Sequence, residues 1–148
     1  MSHVVETPLR LIGIGSPFGD DMLGWQALER LRDELDVFPH GAELHTLDRP
    51  GSSLIPLLED GKAVVLIDAM QSGQSPGTVQ RLSLSELLTQ AQTPSTHSLG
   101  VAETLAIAEQ LQVLPEKLFI YGVEMGAAAA TWYPQLLQQL RIDLSELQ

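Results

Sequence analysis

Four side chains in this sequence have the type and setting to hold a divalent cation. Asp20 and Asp21 lie in GIGSPFGDDMLGWQAL, Gly13–Leu28; Asp68 ends the apolar run AVVLIDA; His97 sits in the turn-rich stretch TPSTHSLG. Carboxylate oxygens with an imidazole nitrogen suit a hard-to-borderline divalent metal. Three protein ligands with a position left open are what a metal needs to act on water or substrate. Each residue also has a plainer use. Asp20 or Asp21 would cap a helix and favour its dipole, worth about 0.5–2 kcal/mol. Asp68 would accept hydrogen bonds from the turn that follows it, and a loop histidine needs no ligand role. Two adjacent acids at one helix mouth exceed what a cap requires, so the joint reading outweighs the separate ones. His3, His40 and His45 have no comparable setting.

The elements that must bring these residues together alternate along the chain. Leu9–Ile14 reads as a buried strand, and Gly24, Ala27, Leu28, Leu31 and Leu35 then fall at helical spacing. Glu43–Leu47 reads as a second strand and Ser52–Leu58 as a short helix. Ala63–Ala69 is apolar throughout, the pattern of a strand buried on both faces of a parallel sheet. The turn SPGT, Ser75–Thr78, leads into a short strand Val79–Leu82, and its brevity makes that strand antiparallel to its predecessor. Val101, Leu105, Ala108 and Leu111 mark another helix, and Leu118–Val123 a last strand. Tyr133, Leu137, Leu140, Leu144 and Leu147 mark a C-terminal helix with Pro134 in its first turn. The expected fold is α/β: one domain over residues 1–148, a three-layer sandwich around a mostly parallel five-stranded sheet with one strand antiparallel. In such sheets ligands bind beyond the carboxyl ends of the strands, where strand order reverses. An order beginning 2-1-3 would set the end of the first strand beside Asp68.

Composition removes several function classes. The 148 residues include no cysteine, which excludes disulfides, thiolate metal sites and a cysteine nucleophile. Nineteen acidic against eight basic residues give a formal charge of −11, which opposes binding to nucleic acid or an anionic membrane. No apolar run approaches the ~20 residues of a membrane span and MSHVVETPLR has no signal-peptide pattern, so a cytoplasmic location is expected. The opening glycines do not make a dinucleotide fingerprint, since Phe18 stands where a third glycine is needed, and no Walker pattern follows. Gly13 and Gly15 then serve close packing. No serine lies in a G-x-S-x-G elbow, and no H-E-x-x-H string occurs. A phosphoacceptor receiver domain shares an acidic pair after its first strand and an Asp ending its third. It needs a lysine after its last strand, where this chain has Glu124 in YGVEMG, and it gives His97 no role.

Five segments in order resemble the hydrogenase maturation endopeptidases, which trim the C-terminus of the large subunit of nickel–iron hydrogenases. GIGSPFGDDMLG is similar to the family's opening glycine and acid motif, and GSSLIPLLEDGKAVVLIDAM to the segment leading to its metal-site Asp. SPGTV is similar to the turn after it, STHSLGVAETLAIAEQL to its histidine loop and helix, and IYGVEMG to its terminal G-I-E segment. The resemblance implies that Asp21, Asp68 and His97 are the catalytic metal-binding residues. It further implies that they meet nickel already held by cysteines of the large-subunit precursor, with other divalent metals as substitutes. Asp20 and Glu124 would be general bases or supporting residues. Ser16 in place of the family's usual Asn, and Met22 in place of its usual Gly, remove none of these ligands. Two other readings stay open: a metal-dependent module that binds the precursor without cutting it, and a receiver-like phosphoacceptor domain.

Overall fold

The apolar run Ala63–Met70 forms the central strand β3 and is buried at all eight positions. The computed structural model describes residues 9–15, 22–37, 42–47, 53–59, 63–90 and 99–145. Strand β1 (Leu9–Ile14) pairs with β2 (Ala42–Leu47) on one side and with β3 on the other, both parallel. Strand β5 (Lys117–Glu124) pairs parallel with β3, and β4 (Val79–Leu82) closes the far edge antiparallel to β5. The order is β2-β1-β3-β5-β4, five strands with one antiparallel pair, as expected. β4 runs against the direction of its predecessor β3, but β5 lies between them. The sequence between β4 and β5 carries two helices that let the chain return into the gap.

The two faces of the sheet are covered separately. Helix α1 (Leu23–Leu31) and helix α5 (Ala129–Leu144) pack on the face presented by Leu9, Leu11, Val65, Ile67, Phe119 and Tyr121. α1 buries Leu23, Gly24, Ala27, Leu28 and Leu31, one stripe at helical spacing, and then tightens into a 3-10 segment, Arg32–Val37. Helices α2 (Leu54–Glu59), α3 (Leu84–Gln90) and α4 (Leu99–Gln110) lie on the opposite face, over Ile12, Ile14, Val64, Leu66 and Ile120. Each fully buried Leu or Ile in these layers contributes about 1.5–3 kcal/mol. No helix among the described residues is long and apolar enough to cross a membrane.

Three expectations change. α3 has no counterpart among the elements expected from sequence; Ser83 and Glu86 start it as a capping box, the Ser83 N–H donating to Glu86 Oε1 at 3.0 Å and the Glu86 N–H to Ser83 Oγ at 3.0 Å. Leu111 lies just past α4 and is 58% exposed, so the buried stripe ends at Ala108. α5 begins at Ala129, which puts Pro134 in its second turn, not its first. Its buried stripe is Trp132, Leu136, Leu140 and Leu144, turned by one residue from Tyr133 and Leu137, which are half-buried.

Candidate active site at the carboxyl edge of the sheet

The three central strands run parallel and finish on one edge. Gly13 is opposite Ile67, Asp68 opposite Gly122, and Met70 opposite Glu124. Side chains alternate across a strand. Asp68 therefore shares a face with Leu66 and Met70, and Glu124 shares it with Ile120, all on the side of α2, α3 and α4. Gly122 carries no side chain between the two acids, and Met70 lies across it, its Cγ 2.5 Å from where a Cβ would stand.

Asp68 is 8% exposed and one carboxylate oxygen accepts the Ala69 N–H at 2.8 Å. A carboxyl group this buried at a strand end is costly unless it is bonded or meets a partner at the edge. Glu124 is 5% exposed, and its carboxylate accepts from Ser72: the N–H at 3.0 and 3.2 Å, the hydroxyl at 2.6 Å. Ser72 is a residue that sequence reasoning left aside. Its only signal is an exposed serine in a loop, and its partner lies far along the chain.

α1 starts on the same edge. A Cβ on Gly24 would stand 2.6 Å from both the Ile14 nitrogen and oxygen and 2.8 Å from the Ile67 oxygen. The helix thus rests backbone-on-backbone across the ends of β1 and β3. Gly13 faces the Gly24 carbonyl, and Gly15 sits under the Trp25 indole while its N–H bonds the Leu47 carbonyl at 2.7 Å. The glycines of the opening motif serve contact, as their spacing suggested. The N-cap of α1 is Met22, which makes no side-chain cap bond. A groove of about 710 Å³ runs from Met22 and Gln26 of α1 to Met125 and Trp132.

Asp20, Asp21 and His97 lie outside the described residues. Their described neighbours are Gly15 and Met22 on either side of the acids, and Leu99 at the start of α4. α4 leads by a short connection into the start of β5, so it runs back along the sheet and its first turn belongs to the carboxyl edge. Among the described residues no three His, Asp or Glu side chains form a metal-sized group; of the predicted ligands only Asp68 is among them.

Comparison with known proteins decides what kind of chain carries this edge. Residues 49–142 match the model of a family described as hydrogenase maturation protease. The chain belongs to the hydrogenase maturation protease family. It is 25% identical over 142 residues to the hydrogenase expression/formation protein HupD of Rhodobacter capsulatus, covering 92% of this chain and 67% of that protein. It is 29% identical over 141 residues to HupD of Thiocapsa roseopersicina, covering 91% and 63%. The chain thus spans about two thirds of the length of these two relatives. The fold matches that of the hydrogenase maturating endopeptidase HybD from E. coli with a TM-score of 0.74, 20% identity, and coverage of 95% and 93%. It also matches a [NiFe] hydrogenase maturation protease HycI from Thermococcus kodakarensis, TM-score 0.65, 24% identity, coverage 96% and 95%.

Proposed function

We propose that this hydrogenase maturation protease family member is an endopeptidase that removes the C-terminal peptide of a nickel–iron hydrogenase large-subunit precursor after nickel insertion. The observation that carries the reading is Asp68: a buried carboxylate ending the central strand, at the edge where β1, β3, β5, α1 and α4 meet, in a chain of this family. Asp21 and His97 complete the set of donors, and the nickel arrives as part of the substrate. The donor chemistry fits, since carboxylates and imidazole take a divalent ion while the precursor keeps its own ligands. An ion at this edge would supply a Lewis acid beside the scissile carbonyl, or a bound water of lowered pKa. Asp68 holds position through the Ala69 N–H, and its burial would leave an ion bound at its carboxylate little screened by water. A receiver-like role is disfavoured, because Glu124 stands where that chemistry needs a cation and is taken up by Ser72.

The test is the intact mass of a nickel-loaded precursor before and after incubation with the protein, beside a nickel-free precursor. Loss of a C-terminal peptide from the loaded sample alone is expected. Asp68→Asn keeps an acceptor for the Ala69 N–H and removes the charge, and cleavage should fall at least about 100-fold. Asp21→Asn and His97→Ala should do the same with an unchanged fold. Binding of the loaded precursor without any mass loss would instead identify a module that binds without cutting.

A further inference from the structure

Glu124 grips both ends of the loop that follows the candidate ligand Asp68. Its carboxylate takes the N–H and the hydroxyl of Ser72 near the start of that loop. Its carbonyl accepts the Gly77 N–H at 2.9 Å, and its own N–H donates to the Thr78 carbonyl at 2.9 Å. The base of the loop is seated on α5: a Cβ on Gly77, at φ +89°, would lie 2.9 Å from Thr131 Cγ2. Beyond this base the residues from Gln71 to Pro76 are all exposed, and Gly73, at φ +85°, faces open space.

The exposed run reads Gln71-Ser72-Gly73-Gln74-Ser75. With the Ser72 hydroxyl given to Glu124, it offers the amides of Gln71 and Gln74 and the Ser75 hydroxyl, and no charge. Side chains of that kind both donate and accept, which matches the main chain of a peptide, one N–H and one C=O per residue. They also leave a cation to the carboxylates nearby. A side-chain carboxylate used to hold a loop in this way is ill placed to take a proton from water. Both of its oxygens already accept bonds from Ser72, and it is buried.

We infer that the Gln71–Ser75 loop is the wall of the site that holds the substrate's peptide main chain, and that Glu124 is the positioning residue that sets this wall through Ser72, not a general base. The inference rests on the proteolytic reading of the Asp68 edge. Three variants test it: Ser72→Ala, Glu124→Gln and Glu124→Ala. Each is measured for Kd, KM and kcat with nickel-loaded precursor, and for amide exchange at Ser72 in the free protein.

Glu124→Ala releases the loop. Exchange at residue 72 should rise, and Kd and KM should both increase about tenfold, since binding must then order the loop, while kcat stays within about twofold. Ser72→Ala keeps the N–H contact and should shift Kd and KM in the same direction by less. Glu124→Gln retains an acceptor for Ser72 and should restore Kd, KM and kcat towards the parent values. Loss of kcat in Glu124→Gln with unchanged exchange would make Glu124 a base and overturn the inference. Unchanged Kd and KM in both alanine variants would overturn it too. If the parent protein cuts nothing, the proteolytic reading fails, and the precursor Kd values still decide whether the loop holds the peptide. Ser72→Ala and Glu124→Gln keep the test open should Glu124→Ala not fold.

Discussion

Gly24→Ala sets two effects of opposite sign against each other, and the structure decides between them. Alanine is better than glycine in a helix interior by about 0.8–1.0 kcal/mol, and Gly24 is the second residue of α1, where the gain is at most that. Against it stands the new Cβ, 2.6 Å from the Ile14 nitrogen and oxygen and 2.8 Å from the Ile67 oxygen. All three atoms belong to the backbone of paired strands and cannot swing aside as a side-chain tip would. Relief requires α1 to back away by roughly 0.7–1 Å, and gaps of about 0.5–1 Å forfeit a quarter to a half of each dispersion contact. Leu23, Ala27, Leu28 and Leu31 would all lose contact with the sheet together. Overpacking of this kind costs about 1–3 kcal/mol, so the net expectation is a loss of about 1–2 kcal/mol. Urea unfolding reads it directly, and thermal unfolding should fall by about 2–4 °C per kcal/mol. Gly13→Ala meets the same helix from the strand side, its Cβ 2.7 Å from the Gly24 carbonyl carbon. Because the two variants push on one contact, their double variant should cost less than the sum. A Gly24→Ala protein as stable as its parent, or more stable, would refute the backbone-on-backbone reading of this edge.

Two further predictions concern groups remote from the site. Tyr121→Phe deletes the hydroxyl that donates to Asp143 Oδ2 at 2.5 Å inside the α5 layer. Arg81 at 3.3 Å and Gln139 at 3.1 Å remain on that carboxylate, so the loss should sit at the lower end of the range for a charge-assisted bond, about 1.5 kcal/mol, read by urea midpoint. An unchanged midpoint would mean that the other two partners suffice. The Glu43 carboxyl is held below its ordinary value of 4.5, first by the His45 hydrogen bond and then by Arg10. A depressed folded pKa contributes stability above the unfolded value and loses it as pH falls through the folded one. His45→Ala should therefore lower stability at pH 5–6, and the gap should close as pH drops below the folded pKa of Glu43. Glu43 is 42% exposed in its side chain, so raised salt should shrink the gap. A difference that persists unchanged to low pH would assign the effect to packing instead.

The central strands were legible because burial on both faces leaves a nearly continuous apolar run. Leu9–Ile14 is read with both bounds, and Ala63–Ala69 falls one residue short of β3. The same signature placed Asp68, since a carboxylate ending such a run stands out. Sheet order at the β1/β3 switch followed from fold rules, whereas the neighbour of β4 did not, because a turn fixes direction and not which strand returns beside it. α3 is short and its stripe is thin, yet Ser83 and Glu86 stand at capping-box spacing, a signal that the residue types alone carry. The start of α5 was hidden because Ala127–Ala130 carry no pattern to phase, and this also misphased Tyr133 against Trp132. The Ser72–Glu124 clamp joins residues 52 apart through one polar side chain, which no local pattern encodes.

The distribution of charge gives the edge its direction. Arg10 pairs with Glu43, Arg81 with Asp143 and Arg141 with Glu34, so these three cations are committed to acids on β2, on α5 and on the 3-10 segment after α1. Arg81 also stacks on Phe119, 4.8 Å from the ring centre, and Arg10 donates to the Leu57 carbonyl at 2.8 Å. These contacts hold the Arg10 and Arg81 guanidiniums in place, away from the ends of β3 and β5 where Asp68 and Glu124 stand. Glu124 is bonded by the neutral donors of Ser72. Two buried carboxyl groups at this edge, on a chain of formal charge −11, favour a cation over a phosphate or carboxylate as ligand. Under the proposed function, that cation would be one bound within the precursor, and it would bring the peptide to be cut along with it.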